Sequence, residues 1–219
     1  MVKIERSFPA PASLAIEAKK KSGRYDKQDV VEQLCKDFHN KCYVCEIKGL
    51  QDPVIEHLLP HKDGKFADRK FDWENLFWAC GHCNGVKNQR KFDEGVLDCC
   101  KQDPEEVIDF QLAFEEVRVN AKDDLNEEAV LTATLIQETF ELKNTGMRVK
   151  ASEIRYQELN KEMNKLYDNL EEWGIKPDSR IVLRKLQALL SRESAFAAFK
   201  RAYIRRNIDR YPELERYIV

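Results

Sequence analysis

The chain has 219 residues, of which 42% are hydrophobic and 35% are charged. This length predicts one large domain or two small ones, with enough apolar side chains for a core. No apolar run approaches the roughly 18 residues that a membrane-spanning helix needs, which excludes a spanning protein. The first residues lack an apolar segment followed by a small-residue cleavage site, so we expect a soluble, cytoplasmic protein.

The helical and strand patterns of the first half can be taken in chain order. Apolar residues at helical spacing predict a helix over 26–40. Two short strand-like runs follow, over 54–59 and 76–79, with a polar loop between them. Residues 84–91 then predict a short basic helix. The central segment is therefore predicted to fold in the order β-β-α.

The second half of the chain has the patterns of helices. We expect helices over 104–118 and about 125–143. A third helix, over 150–173, carries a seam of apolar residues that alternates steps of four and three, which is typical of a helix packing against another: Leu159, Met163, Leu166, Leu170 and Trp173. Gly174 and Pro177 end it, and a last helix extends to about 207. The two form a helical hairpin, whose seam serves either the domain's own core or a partner.

Basic and acidic side chains are segregated along the chain, although the net charge is only −2. Lys and Arg are in excess over 1–92 and 178–210, whereas Asp and Glu are in excess over 93–177. A basic segment could face a polyanion, or it could be an ordinary solvated helix face. In the last predicted helix, three arginines could contact nucleic acid, the acidic segment or a partner subunit: Arg201, Arg205 and Arg206.

Four of the seven cysteines form two C-x₂-C pairs, Cys42 with Cys45 and Cys80 with Cys83. In a reducing compartment such pairs indicate metal binding more than disulfides. Two pairs supply the four thiolates of a tetrahedral zinc site, so we predict one Zn²⁺ per chain. A zinc ion with four thiolates has no open coordination position and therefore stabilises structure without activating water.

A second spacing competes with this prediction, because one cysteine pair and two histidines follow the order of a Cys₂His₂ finger: Cys42, Cys45, His57 and His61. That site requires both histidines on one helix. Pro60 lies between them, and a proline there would cost the helix about 3 kcal/mol. The second cysteine pair would also have no role. We therefore prefer the four-cysteine site.

Three polar elements lie within or beside the segment bounded by the cysteines: Glu56-His57, Asn75 and Asn84. Together with the cysteines, the ordered strings CYVC, IEHLLP, ENL and CGHCN resemble the HNH nuclease family. The resemblance implies a ββα-metal fold, with zinc on the cysteines and a separate catalytic divalent ion. The fold class that we expect is α+β and mostly α, with a zinc-stabilised ββα-metal core, a helical N-terminal segment and a C-terminal helical hairpin or bundle.

The string IEHLLPHKDGKFADRKFDWENLFWACGHCNGVKNQRKFDEGVLD is similar to one subgroup, the HNH subunit of Septu-type anti-phage systems, which also accompanies some retrons. The likeness runs from the N-terminal KIERSFPAP to about residue 110, and more loosely along the helical half. It departs at two positions, since Glu56 stands where the family more often has Asp, and Cys99 stands where proline is expected. The resemblance implies an ABC-type ATPase as partner and, in a retron, a reverse transcriptase with its RNA–DNA.

The residue types in this motif suit phosphodiester hydrolysis, which needs a base for water and a cation for the developing charge. His57 is the candidate base, because an imidazole can accept a proton near pH 7. Glu56 and Asn84 offer the oxygen ligands that Mg²⁺ or Mn²⁺ prefers. The resemblance gives Asn75 the role of bracing the loop through hydrogen bonds.

The strand geometry leaves alternatives open for this site. Neighbouring residues on a regular strand point to opposite faces, so Glu56 and His57 can face one ion only if the strand is ending there. His61 and His82 are therefore alternative participants, of which His82 lies inside the second cysteine pair.

Basic residues follow Asn84 at spacings that place some of them on one helix face. Lys87, Arg90 and Lys91 could bind backbone phosphates without sequence preference, or could form a solvated face. The sequence thus predicts a metal-dependent HNH endonuclease in 1–110 and a helical, partner-docking domain in 111–219. DNA is the favoured substrate. An RNA-cleaving effector, and a non-catalytic zinc module that binds nucleic acid or scaffolds an ATPase, are the alternatives.

Overall fold

The computed structural model describes residues 1–62, 65–114, 116–141 and 145–218. It is a mixed α+β structure in which helices predominate, with two small antiparallel sheets of two strands each. Within the described residues, no helix combines the length and the apolar character that crossing a membrane requires. The mixed, helix-rich class is therefore confirmed, and the assignment of an HNH core stays a prediction.

The first half of the chain contains four of the helices and the first pair of strands. In order they are α1 (Ala12–Glu17), α2 (Gln28–Asp37), β1 (Pro53–His57), α3 (Ala67–Lys70), a 3₁₀ turn (Trp73–Asn75), β2 (Leu76–Cys80), α4 (Gly81–Lys87) and a second 3₁₀ turn (Arg90–Phe92). The strands pair antiparallel, with Ile55 opposite Trp78 and His57 opposite Leu76. Helix α4 follows β2 directly and contacts both strands. The β-β-α order predicted for this segment is thus confirmed.

The second half adds one short helix, a hairpin of strands and four longer helices. In order they are α5 (Pro104–Val107), β3 (Ile108–Ala113), β4 (Glu116–Ala121), α6 (Glu127–Glu141), α7 (Gly146–Ile175), α8 (Arg180–Leu190), α9 (Ala197–Arg206) and a 3₁₀ turn (Pro212–Tyr217). Buried side chains from both halves form one hydrophobic cluster.

The predicted helix over 104–118 is wrong, because only its first turn is helical and the rest belongs to the β3–β4 hairpin. Ile108 and Phe110 are buried on β3, and Val117 and Val119 are buried on β4, with Phe110 paired opposite Val119. These apolar residues recur every second position, which is the period of a strand with one buried face.

The predicted C-terminal hairpin is three helices, since the stretch after Pro177 divides into α8 and α9. The break is fixed by contacts to the first half of the chain. Phe196 adopts a left-handed conformation with φ of 49°, and its N–H donates to the Glu46 carbonyl at 3.2 Å. The buried Lys41 ammonium donates to the carbonyl oxygens of Arg192 and Ser194. The carbonyl oxygens of Arg192 and Ser194 thus bind Lys41 instead of accepting the N–H groups of a continuous helix.

The seam of α7 faces the protein's own core, because four of its five predicted residues are buried there: Leu159, Met163, Leu166 and Leu170. The arginines of α9 meet the acidic segment. Arg201 donates to both carboxylate oxygens of Glu105 at 2.9 Å, and Arg206 contacts Asp109 at 2.7 Å. Of the three predicted uses of these arginines, contact with the acidic segment is the one observed. These contacts cross the predicted boundary at 110/111, and the division into two domains stays a prediction.

Candidate metal centre and polar cleft

The two cysteine pairs meet in a buried cluster. Cys42 and Cys45 lie in the turns after α2, whereas Cys80 ends β2 and Cys83 lies in the first turn of α4. Their four Sγ atoms lie within 4.8 Å of one another, and Cys45 Sγ is 4.0 Å from Cys80 Sγ. A tetrahedral zinc site with Zn–S bonds of about 2.3 Å separates its sulphurs by about 3.8 Å. The cluster fits this geometry and could hold a zinc ion.

A residue of α7 joins this cluster. The guanidinium of Arg155 donates from Nη2 to Cys80 Sγ at 2.9 Å, and the residue is 7% exposed. Hydrogen bonds from the other three thiols, together with the charge of Arg155, lower the pKa of Cys80. This favours the thiolate form that a metal ion requires. No sequence pattern indicated a role for Arg155, because it is distant from the motif and lies in a helix that carries none of the motif's polar residues.

A polar cleft of about 520 Å³ lies beside β1 and α4. Its lining includes three of the residues predicted to act together, with one of the alternative histidines and two further charged side chains: Glu56, His57, Asn84, His61, Lys87 and Asp93. Glu56 and His57 are neighbours at the end of β1 and yet line the same cleft. The strand ends at His57, two residues before the end of the predicted run, and this meets the condition for Glu56 and His57 to face one site.

His57 is held in one orientation. Its ring packs edge-on against Tyr25 and His61, with centroid distances of 4.7 and 4.8 Å. Its Nε2 lies 3.1 Å from the carbonyl oxygen of Lys70. A carbonyl can only accept, so Nε2 carries the hydrogen, and Nδ1 keeps a lone pair with no hydrogen-bond partner among the described residues. Burial lowers the pKa of His57 to about 4, so the imidazole is neutral at pH 7.

Asn75 braces the loop that borders the cleft. Its Oδ1 accepts from the Leu59 N–H at 2.7 Å, and its Nδ2 donates to the carbonyls of Leu59 and Arg69, each at 2.9 Å. The residue is 5% exposed. Both ends of the loop are thereby tied to one side chain, which is the role that the resemblance implies for it.

Lys87 does not extend from the surface as a phosphate ligand would. The residue is 5% exposed, and its ammonium pairs with Glu56 Oε1 at 2.8 Å. The other carboxylate oxygen of Glu56 accepts from the Tyr43 hydroxyl at 2.8 Å. Burial raises the pKa of Glu56, and the Lys87 charge and the Tyr43 hydrogen bond oppose that shift. Helical spacing placed Lys87 on the face of Asn84, but it did not reveal that this face lies against β1.

The other two predicted phosphate ligands lie outside α4, in the 3₁₀ turn Arg90–Phe92. The shared helix face expected for Lys87 and Lys91 therefore does not form. Arg90 is exposed, and Lys91 pairs with Glu138 of α6. Arg90 is thus the predicted phosphate ligand whose position at the surface suits that role.

His82 lies on the side of α4 that faces α6 and α7, and it is not part of the cleft lining. Its Nε2 donates to the Thr139 carbonyl at 2.9 Å, and Arg148 donates to the His82 carbonyl at 2.9 Å. Burial lowers the pKa of His82 to about 4. Arg148 reaches this position across Gly85, where an added Cβ would lie 2.0 Å from Arg148 Nη2. His82 thus joins α4 to the helices behind it.

The side chains that could hold a divalent ion in the cleft are fewer than the sequence suggested. Among the described residues, the cysteine cluster is the one group of three or more His, Cys, Asp or Glu side chains close enough to bind a metal ion. The carboxamide of Asn84 makes no hydrogen bond to the described residues and therefore fits the role of a ligand. Both carboxylate oxygens of Glu56, in contrast, already accept hydrogen bonds, from Lys87 and from Tyr43. His61 Nδ1 is buried without a hydrogen-bond partner in the described part of the chain.

No protein-family model and no curated protein matches this chain. The functional interpretation therefore depends on the motif and on the geometry of the cysteine cluster and the cleft.

Proposed function

We propose that this protein is an HNH-type endonuclease that hydrolyses phosphodiester bonds of nucleic acid, with DNA as the favoured substrate. The observation that carries the proposal is the placement of His57 in a cleft shared with Asn84, with Nε2–H bonded to the Lys70 carbonyl and Nδ1 left as an acceptor. A general base needs a neutral, oriented imidazole with a free lone pair. Burial keeps His57 neutral and Lys70 fixes its tautomer.

The reaction would use the cleft as follows. A water molecule donating to His57 Nδ1 loses its proton to the imidazole while its oxygen attacks phosphorus on the side opposite the 3′ oxygen. The P–O3′ bond breaks, and a proton from solvent neutralises the leaving oxygen, which gives a 5′-phosphate and a 3′-hydroxyl. Asn75 keeps the loop that carries Pro60 and His61 in place throughout.

Two metal ions belong to the proposal. Zinc on Cys42, Cys45, Cys80 and Cys83 stabilises the fold around the cleft. Mg²⁺ or Mn²⁺, held by Asn84, would supply positive charge for the phosphate when bound. Mg²⁺ commonly keeps several waters and takes few protein ligands together with substrate phosphates, so Asn84 would act with the phosphate oxygens of the substrate and with water.

The cellular setting follows from the motif resemblance. The likeness of the longer string, from IEHLLP to GVLD, to the HNH subunit of Septu-type systems supports a cytoplasmic nuclease effector of an anti-phage system that works with an ABC-type ATPase and, in a retron, with a reverse transcriptase and its RNA–DNA. Arg90, exposed in the 3₁₀ turn that follows α4, would contact the nucleic acid backbone. The second half of the chain would dock the partner.

One observation favours a second candidate function, a non-catalytic zinc module that binds nucleic acid or scaffolds the ATPase. Both carboxylate oxygens of Glu56 accept hydrogen bonds, from Lys87 and from Tyr43, so neither is free to bind a metal ion in the cleft. Such a module would keep the cysteines and would not depend on Glu56 or Asn84.

The test is cleavage of plasmid DNA and of total RNA by the zinc-loaded chain with Mg²⁺ or Mn²⁺, with and without the ATPase partner. His57→Ala should lower the rate by about 10²-fold or more, the usual contribution of a general base. His39→Asn is the control, because His39 lies outside the cleft and its φ of 54° suits asparagine. Equal cleavage by wild type and His57→Ala would remove His57 from the mechanism. Preference for RNA would identify the RNA-cleaving alternative, and inactive wild type with its partner would favour the zinc module.

A further inference from the structure

The ammonium group of Lys87 lies inside the protein, between α4 and β1. Its side chain is 4% exposed, and Nζ lies 2.8 Å from Glu56 Oε1, 3.1 Å from the His57 carbonyl oxygen and 2.8 Å from that of Leu58. An ammonium has three N–H donors and no acceptor. These three contacts use its whole hydrogen-bonding capacity, so Lys87 is a fully coordinated internal cation.

Glu56 is enclosed by the same group of residues. Its side chain is 7% exposed, with Oε1 bound by Lys87 and Oε2 bound by the Tyr43 hydroxyl. Tyr43 is itself 2% exposed. The carboxylate therefore already has a positive charge at contact distance, and both of its oxygens have a donor.

We propose that Lys87 is the permanent counter-ion of Glu56, so that the pair positions α4 against β1 and Glu56 does not bind the divalent cation of the cleft. The inference rests on the proposed function for the presence of that cation, and it removes one of the two ligands that the sequence predicted. Asn84 then holds the cation together with water and substrate phosphate. Lys87 and Glu56 are positioning residues, since they fix the His57 backbone and the helix that carries Asn84.

The energetics favour the closed pair over a metal-bound Glu56. A metal ion on Oε1 would have to displace the ammonium, which would leave the carbonyls of His57 and Leu58 without their donor in a buried place. It would also bring a divalent ion close to a cation that has little access to water. The cleft should therefore bind a divalent ion weakly before the substrate arrives.

The experiment measures Mn²⁺ binding to the zinc-loaded full chain without nucleic acid, from the electron paramagnetic resonance signal of free Mn²⁺. The proteins compared are wild type, Glu56→Gln, Lys87→Met and the double variant. Glu56→Gln keeps an acceptor for Lys87 and should leave the Mn²⁺ affinity within about twofold of wild type. Lys87→Met frees the carboxylate and should raise the affinity at least about tenfold, which is about 1.4 kcal/mol. Adding Glu56→Gln should abolish that gain.

Two results would overturn the proposal. One is a loss of about tenfold or more in Mn²⁺ affinity in Glu56→Gln, which is the behaviour of a ligand. The other is a folded Lys87→Met protein that binds Mn²⁺ no better than wild type. If zinc content and circular dichroism show that Lys87→Met does not fold, Lys87→Gln takes its place with the same expectation, because it keeps a donor for the Leu58 carbonyl. None of these measurements uses cleavage, so an inactive wild type would end the proposed function and leave this inference standing.

Discussion

Arg155 and Cys80 are joined by a hydrogen bond of 2.9 Å from the guanidinium Nη2 to Sγ, although they lie in different halves of the chain. A site with four thiolates around Zn²⁺ carries two net negative charges, and the cluster is buried. A buried guanidinium offsets part of that charge and directs a hydrogen bond at one sulphur. The long helix α7 thereby contributes a side chain to the cysteine cluster.

Arg155→Met should weaken zinc binding, because it removes this hydrogen bond and the positive charge next to the thiolates. We expect zinc affinity to fall about 10- to 100-fold, the usual effect of losing an outer-shell partner. The measurement is competition with a chelator whose colour reports zinc. Lys161→Met, which removes an exposed cation from the same helix, is the matched control. A purely steric role for Arg155 would predict equal affinities in Arg155→Met and wild type.

Zinc content should depend equally on the two cysteine pairs. Cys42→Ser and Cys80→Ser should each lose the bound metal, because each removes one of four thiolates and leaves a buried hydroxyl. Elemental analysis gives the content, and thermal unfolding reports the lost stability. Cys35→Ser is the control, since this cysteine lies outside the cluster. Zinc retained in Cys80→Ser would contradict the four-cysteine site.

The sequence predicted what local spacing determines. A C-x₂-C pair places two thiolates on one turn whatever the surrounding fold. The prediction therefore required only that the two pairs lie next to each other, and the contact of Cys45 with Cys80 shows that they do. The end of the strand at His57 was only stated as a condition for Glu56 and His57 to face one site, because the predicted strand-like run extended to residue 59, just before the proline that interrupts strand pairing.

What the sequence could not supply is which neighbour each helix face meets. Helical spacing placed Lys87 with Asn84, but the choice between solvent and β1 depends on tertiary packing. The contact of Arg155 with Cys80 could not be predicted from the sequence for the same reason. For the arginines of α9 the sequence did include the observed contact among its alternatives, because their charge predicts an acidic partner and Glu105 is such a partner.

Asn75→Ala should destabilise the protein strongly for a single polar substitution. It leaves the N–H and carbonyl of Leu59 and the carbonyl of Arg69 without their side-chain partner. We expect the free energy of unfolding to fall by about 2 to 3 kcal/mol, since unpaired buried backbone groups are costly. Denaturant unfolding measures the change, with the exposed Asn120→Ala as control. A change below about 0.5 kcal/mol would mean that water replaces Asn75 without cost.

Gly85→Ala should displace the Arg148 guanidinium of α7 from its contact with α4. The new methyl group would meet Arg148 Nη2 at 2.0 Å, so the guanidinium must leave the His82 carbonyl. A gain in helix propensity offsets part of the loss, and we expect a net destabilisation of about 1 kcal/mol. Gly81→Ala is the matched control, because its Cβ would meet no atom within 4 Å. Equal stability of the two variants would show that Arg148 contributes nothing through this contact.

His57 should titrate well below the usual range for histidine. Burial lowers its pKa to about 4 in the folded chain, so the folded protein binds fewer protons than the unfolded one between about pH 4 and 6.5. Stability contributed by the neutral ring is therefore complete above pH 6.5 and is lost as the pH falls towards 4. Nuclear magnetic resonance of the ring C–H signals checks the pKa directly, with His57→Gln to assign the resonance. A His57 signal that moves with a midpoint near 6.5 would contradict the closed environment formed by Tyr25, His61 and the Lys70 carbonyl.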